Sequence, residues 1–311
     1  MKKIILLLLA GAAVISCHTM KSSVKENPFE KHAQTALKNN LFVQEELKLI
    51  SSDFSFTEGC SPDEGGNVFF TDQPNDKIWK YSVKGELSLF LDKSGRSNGT
   101  YFDKDGNLLT CADERGELWS VSPNGKVSVL LADLNGKQLN GPNDLWVDSK
   151  GGIYLTDPYY QRPYWTRTQP DLESQDVYYL QKGSLAALKV AGDFSRPNGI
   201  VGTPDGKSLY IADIGAGKIF KYTIEKEGVL SNKELFISRG ADGMTLDDQG
   251  NIYLTGGNGV YIYDKDGESL ATIAVPKGTS NVCFSGKDKN ILFITARESI
   301  YTIPMTVRGV E

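Results

Sequence analysis

Six oxygen-bearing side chains recur at one offset along this chain. Counting back eight residues from Gly66, Gly106, Gly151, Gly206, Gly250 and Lys289 reaches Glu58, Asn98, Asn143, Asn198, Asp242 and Asn281. Asn and Asp favour strand starts, where they bond to local backbone, but turn chemistry does not require an acceptor at every equivalent place. Glu58 and Asp242 bring two negative charges, the amides bring neutral oxygens, and no sulfur or imidazole belongs to the set. Such donors suit a hard divalent cation: calcium first, which tolerates irregular oxygen coordination, with Mg2+ or Mn2+ behind it. Asp242 is also the first candidate for a general base and Asp144, beside Asn143, the reserve; a carboxylate tied to a cation is a weakened base.

A second group stands between Asp157 and Val177, where Pro158 to Pro170 lengthens one interval of the pattern with aromatic and basic residues. Long aromatic loops often serve sites. Tyr159, Tyr160, Arg162, Trp165 and Arg167 have the chemistry to stack on a sugar ring or hold a carboxylate, and the loop is expected to overhang the cation; packing against a neighbouring element is the competing expectation.

Other chemistry is excluded. The only two histidines, His18 and His32, precede the patterned region, so Ser-His-Asp and Cys-His hydrolysis and His-ligated zinc lack their imidazole. Cys60, Cys111 and Cys283 sit beside apolar strand residues and read as small buried packing groups, able to form at most one disulfide. With 34 Lys and Arg against 39 Asp and Glu, the chain has no overall basic field for nucleic acid.

The elements that must position the donors follow from a repeat. A turn of the form Asp-x-x-Gly-Asn, followed by a strand ending in Thr-Asp or Ala-Asp, occurs six times: from Asp63, Asp103, Asp148, Thr203 and Asp247, and in degraded form from Gly286. The pairs' aspartates, among them Asp72, Asp113, Asp157 and Asp213, are expected to stabilise the turn after that strand. A further alternating run, such as Lys77 to Tyr81 or Lys218 to Tyr222, and usually a third, follows each copy. Four-stranded antiparallel units at this spacing are the signature of propeller blades. The fold class is therefore all-β, a six-bladed β-propeller. The sixth unit lacks a strand, and Val43 to Ile50, alternating apolar and polar, is expected to supply it and close the ring. An open stack of blades fits the periodicity too, but would need end caps that are not evident.

Ahead of the repeat, Lys2, Lys3 and the apolar run Ile4 to Ile15 read as a signal peptide over 1–16, and Val14-Ile15-Ser16-Cys17 looks like a bacterial lipobox. The alternative is a plain secretory peptide cut near Ala13. Residues 17–40 are then a lipidated Cys17 and a polar tether, and 41–311 the propeller domain, placing the protein in the bacterial cell envelope, facing periplasm or cell surface, with the membrane touched only through the lipid.

The ring motifs resemble the gluconolactonase, senescence-marker and luciferin-regenerating-enzyme family of six-bladed propellers, over residues 42 to 305. Phe56-Thr57-Glu58-Gly59 resembles the family's opening metal-ligand motif. Gly141-Pro142-Asn143-Asp144 with Tyr154 to Pro158 resembles its central signature, and Arg196-Pro197-Asn198-Gly199 and Ala241-Asp242-Gly243 the remaining two. The resemblance implies that Glu58, Asn198 and Asp242 bind the metal, that Asn143 binds it or holds substrate beside it, and that Asn98 and Asn281 are lesser contacts. Cys60 departs from the family's usual proline, and the ring has no histidine of the kind some relatives use. The function implied is metal-dependent hydrolysis of sugar lactones by a monomer, through polarisation of the carbonyl and attack of water. Two alternatives stand beside it: a non-catalytic calcium-stabilised propeller that binds glycan or protein, and a hydrolase of other esters or organophosphates.

Overall fold

The computed structural model describes Leu41 and residues 46–310, and the expectations for the signal peptide, Cys17 and the tether lie outside them. Among the described residues twenty-four strands form six four-stranded antiparallel sheets. The innermost strands are Thr57–Pro62, Ser97–Phe102, Leu145–Val147, Pro197–Gly202, Met244–Leu246 and Thr279–Ser285, in blades I to VI respectively. Each touches the innermost strand of the next blade, and Thr279–Ser285 touches Thr57–Pro62, so the ring closes as a six-bladed propeller.

The repeated turn sets the geometry of each blade. Asp63, Asp103, Asp148 and Asp247 each accept the amide four residues on, at 2.8 to 2.9 Å, and this pins the hairpin. The turn glycines adopt φ between +68° and +85°, a region where a β-carbon is strained; in the degraded copy Lys289 takes φ +52° in the same place. The second strands, such as Val68–Asp72, Leu108–Ala112 and Ile153–Asp157, are buried along their whole length between neighbouring blades. That double burial explains their near-continuous apolar runs. Phe70, Phe293 and Tyr253 are fully buried there, each contributing roughly 1.5–3 kcal/mol of transfer free energy.

The closing strand is Lys48–Ser51, paired antiparallel with Ser299–Pro304, with Leu49 opposite Tyr301 and an irregularity before Ser51. This is the C-terminal half of the expected segment; residues 42–45 lie outside the description. Leu41 is buried against the fifth and sixth blades, and its carbonyl accepts the amide of Thr306. Cys60, Cys111 and Cys283 are buried and form no disulfide among the described residues, as packing groups would be.

Candidate active site

The six donors are aimed by distortions of the inner strands. In blades I, II, IV and VI the strand register slips at the donor, between Glu58 and Ser61, Ser97 and Thr100, Pro197 and Ile200, and Thr279 and Asn281. Such bulges re-aim a side chain and leave its neighbouring amide unpaired. Asn143 and Asp242 stand just ahead of shorter strands. The threonine of the repeated motif supplies hydrogen bonds that these distortions need. Thr156 Oγ1 accepts from Asp144 N (3.1 Å), Thr255 Oγ1 from Gly243 N (2.7 Å) and Thr295 Oγ1 from Asn281 N (2.8 Å), while Thr71 Oγ1 donates to the Asn98 carbonyl (3.1 Å).

The blades meet so tightly at this level that side chains are excluded next to the donors. A β-carbon on Gly59, at φ +31°, would lie 2.0 Å from the Asn98 carbonyl oxygen, and one on Gly99 would lie 2.5 Å from that of Asn143. The same adjacency continues from Gly199 to Asp242 and from Gly243 to Asn281, and Cys60 Sγ lies 4.0 Å from Asn281 Oδ1. With Ile200 N on Asp144 Oδ2 (3.3 Å) joining blades III and IV, the ring of six is traced through contacts from blade to blade.

Glu58, Asn198 and Asp242 converge. Burial raises the Glu58 carboxyl well above its ordinary value, and the nearby Asp242 charge raises it further, against the Gly59 N–H bond. Burial also lifts Asp242 to about 6, opposed by a hydrogen bond from Asn198 and by the charges of Arg162 and Arg297. Asn198 donates Nδ2 to the Tyr160 hydroxyl at 3.0 Å, while its Oδ1 is buried with no hydrogen-bond partner among the described residues. Two buried carboxylates that repel each other and one orphaned amide oxygen are what an oxygen-coordinated cation would satisfy. The residues present therefore fit a hard divalent ion. Among the described residues there is no cluster of three or more His, Cys, Asp or Glu, so amide oxygens must complete any such site.

The remaining candidates divide. Asn98, Asn143 and Asn281 are buried on the ring, and Asn281 Oδ1 accepts from Val282 N at 2.8 Å. Asp144 faces the narrow channel behind the ring, beside Cys60, Ile200 and Met244. There its carboxylate takes Leu145 N (3.0 Å) and Ile200 N (3.3 Å).

The loop after Asp157 arches back to the ring through Tyr160. Arg162 follows it, with Nε on Asp113 Oδ2 at 2.8 Å. Trp165 Nε1 donates to the Asp113 carbonyl (3.0 Å), and its ring lies under the Arg167 guanidinium at 4.0 Å. Tyr159 bonds Gln161 and stacks near Trp165. The loop thus reaches the ring through Tyr160, whereas Tyr159 and Trp165 bond within the loop and to the Asp113 carbonyl.

The paired aspartates are expected to stabilise the turn after their own strand; in the structure Asp72, Asp157 and Asp213 chiefly reach elsewhere, and Asp113 departs further still. Asp72, Asp157 and Asp213 bind backbone amides of the segments leading into inner strands, at residues 55 and 56, 140 and 141, and 195 and 196. In blade II that duty passes to Asp76, which takes Arg96 N at 2.8 Å. Asp113 is then left to anchor the loop through Arg162 and Tyr164 and to accept from Gln73 (3.2 Å). Arg96, stacked on Tyr164 at 4.4 Å, and Tyr164 itself also escaped the sequence reading. A concavity of about 790 Å3 opens elsewhere, at the turn end among Phe69, Phe90, Phe102 and Lys104, and no ring donor lines it.

Residues 56–298 match the family described as SMP-30/Gluconolactonase/LRE-like region. Over 294 residues the chain is 29% identical to the gluconolactonase of Zymomonas mobilis, covering 85% of this chain and 82% of that one. A gluconolactonase from Xanthomonas campestris superposes with a TM-score of 0.82 at 26% identity, covering 87% of this chain and 93% of the other. Regucalcin from Agrobacterium tumefaciens, a calcium-binding protein, superposes with a TM-score of 0.72 over 85% and 95%, at 20% identity, a likeness of fold alone.

Proposed function

Because the chain belongs to the SMP-30/gluconolactonase/LRE-like family, we propose that it is a lactone hydrolase, and that it opens sugar lactones by a divalent-metal-dependent attack of water. The observation that carries the metal-dependent reading is the convergence of Glu58, Asp242 and the orphaned Asn198 oxygen beneath Tyr160. Glu58, Asn198 and Asp242 would hold the cation, with Asn143 the fourth ligand or a contact to substrate. The all-oxygen donor set favours calcium, with magnesium or manganese as alternatives. When bound, such an ion supplies Lewis acidity toward the lactone carbonyl and balances the negative charge that develops on it.

The protein's own groups do the rest. Asp242 is placed to orient the attacking water and take its proton, as a base weakened by the cation it would help to hold. Tyr160, pushed up to about 12 chiefly by burial, stays protonated and fixes the Asn198 amide, so that Oδ1 points inward. Arg162 lends positive charge to the ring while tied to Asp113. Asp144 is the reserve base, and its two backbone bonds behind the ring favour a supporting role.

We also propose that Cys17 carries a lipid anchor. Leu41 and Thr306 lie at the turn face, the end of the propeller opposite the ring. A domain tethered from there would present its mouth away from the membrane.

Acid release from glucono-1,5-lactone, followed with and without chelator in wild type, Glu58→Gln and Asp242→Asn, tests the catalytic reading. We expect chelation and either substitution to lower kcat/KM at least 100-fold, the scale of losing charge stabilisation at a reacting centre. Wild-type rates in both variants would sink it. A cation-dependent gain in melting temperature with no hydrolysis of any lactone would indicate a non-catalytic propeller.

A further inference from the structure

Beside the Asn198 edge of the ring, one tyrosine gathers two guanidinium groups. The Tyr160 ring lies 5.2 Å from Arg162 Cζ and 4.7 Å from Arg196 Cζ, and the Tyr160 hydroxyl accepts from Asn198. Arg162 is part-buried and uses Nε on Asp113, and its guanidinium makes no other hydrogen bond among the described residues. Arg196 is exposed, and its side chain has no carboxylate within 4.0 Å and no hydrogen bond among the described residues. Its position follows from the fold: it stands two residues ahead of Asn198, with its own amide gripped by Asp213 at 2.8 Å, so the backbone that presents it is fixed.

A guanidinium held by neither an acid nor a carbonyl, stacked on an aromatic ring next to the reacting centre, is a ready partner for an anion. The surroundings add to this. Arg297, beside Thr57 at the seam of blades VI and I, makes no salt bridge among the described residues, and its charge reaches Asp242. A divalent ion would neutralise Glu58 and Asp242, Asp113 offsets Arg162, and Asp144 lies behind the ring on two backbone amides, which leaves positive charge at the mouth centred on Arg196. A neutral sugar lactone makes no use of that charge.

We infer that Arg196, with Arg162 across the Tyr160 ring, forms an anion subsite, so that the preferred substrates are lactones bearing a carboxylate or phosphate at the end remote from the ester. This rests on the lactone-hydrolase reading and names the substrate class of the same site. The anion binds the guanidinium edges while the ester lies toward Asn198 and Asp242. Arg196 is a specificity-determining residue, outside the reacting atoms.

The test compares three lactones in the cation-loaded full chain: glucono-1,5-lactone, which is neutral, glucaro-1,4-lactone, which carries a carboxylate, and 6-phosphoglucono-1,5-lactone. Wild type is expected to favour at least one charged lactone over the neutral one by tenfold or more in kcat/KM at low salt. Whichever charged substrate leads identifies the anion. Arg196→Ala should cut the charged-to-neutral ratio about tenfold, Arg196→Lys less, and raising the salt to 0.5 M should erode the wild-type preference. Equal kcat/KM for neutral and charged lactones in wild type, or a ratio unchanged in Arg196→Ala, would overturn the inference.

Calorimetric binding of gluconate, glucarate and 6-phosphogluconate supplies an arm that needs no catalysis. A preference of wild type for a doubly charged acid, lost in Arg196→Ala, sustains the subsite even if no lactone is hydrolysed, in which case the lactone-hydrolase reading alone has failed. Equal affinities for all three acids would overturn the subsite independently of turnover.

Discussion

Replacing Asp113 by Asn separates the loop's anchor from the ring it covers. The Asp113 side chain is 1% exposed, and its Oδ2 collects Arg162 Nε at 2.8 Å, the Tyr164 hydroxyl and Gln73 Nε2 at 3.2 Å. Asn keeps the volume but turns an amide donor toward some of those donors and removes the charge. Severing a buried ion pair costs ~3–5 kcal/mol when the stranded charge stays dry. Here Arg162 is 22% exposed and can rehydrate in part, which brings the loss down to about 2–3 kcal/mol. The loss falls on docking of the loop rather than on the six sheets, because none of the three partners belongs to a strand. Hydrogen exchange reads it directly. Tyr159 N, bonded to Gln175 Oε1 at 2.7 Å, and Trp165 N, bonded to the Arg162 carbonyl at 3.2 Å, should exchange roughly 30- to 150-fold faster. KM for a lactone should rise, while the gain in melting temperature on adding calcium stays as in wild type. Unchanged exchange at Tyr159 and Trp165 together with a wild-type KM would refute the anchoring argument.

Two further outcomes follow from the ring. Asp242 binds its proton more tightly folded, at about 6, than unfolded, at about 3.9, and Glu58 shifts in the same direction. Their contribution to stability in chelator is therefore full below about pH 4 and is lost as pH rises through about 6. Melting temperature in chelator should fall between pH 5 and 7, and the gain on adding calcium should grow over that window; a flat profile in chelator would contradict the buried carboxylate pair. Gly59→Ala puts a methyl group 2.0 Å from the Asn98 carbonyl oxygen at φ +31°, and should cost about 3 kcal/mol or more in urea unfolding while abolishing the calcium effect. A wild-type midpoint would show that the inner strands can part there.

What the sequence made legible was whatever the repeat enforces locally. The turn glycines mark positive φ, and the offset of eight reads through to the donors because every blade runs the same hairpin into the same inner-strand level. Even Lys289 kept the register, since its backbone adopts the left-handed conformation without the glycine. Alternation placed the closing strand to within a few residues. The loop anchor was not legible, because it depends on which blade faces which. Ala112-Asp113 and Ala212-Asp213 are the same dipeptide in the same repeat position. Asp213 caps Ser195 and Arg196, whereas Asp113 is released by Asp76, thirty-seven residues earlier, and turned toward a loop about fifty residues later. Nor did spacing reveal the threonines' task, which becomes clear only where a bulge or a shortened inner strand leaves amides to be satisfied.

Pairing Leu49 with Tyr301 has a consequence for how the molecule is made. Lys48–Ser51 leaves the ribosome long before its partner: until Ser299–Pro304 is synthesised the sixth sheet cannot assemble, and until Arg297 is, Thr57 lacks the carbonyl it bonds beside Glu58. Ring closure is a late, long-range event of the kind that slows β folding and leaves sheet edges open to aggregation meanwhile. A nascent chain cut short in its final sheet would hold five finished blades and still lack a working centre, so enzymatic activity reports completed folding.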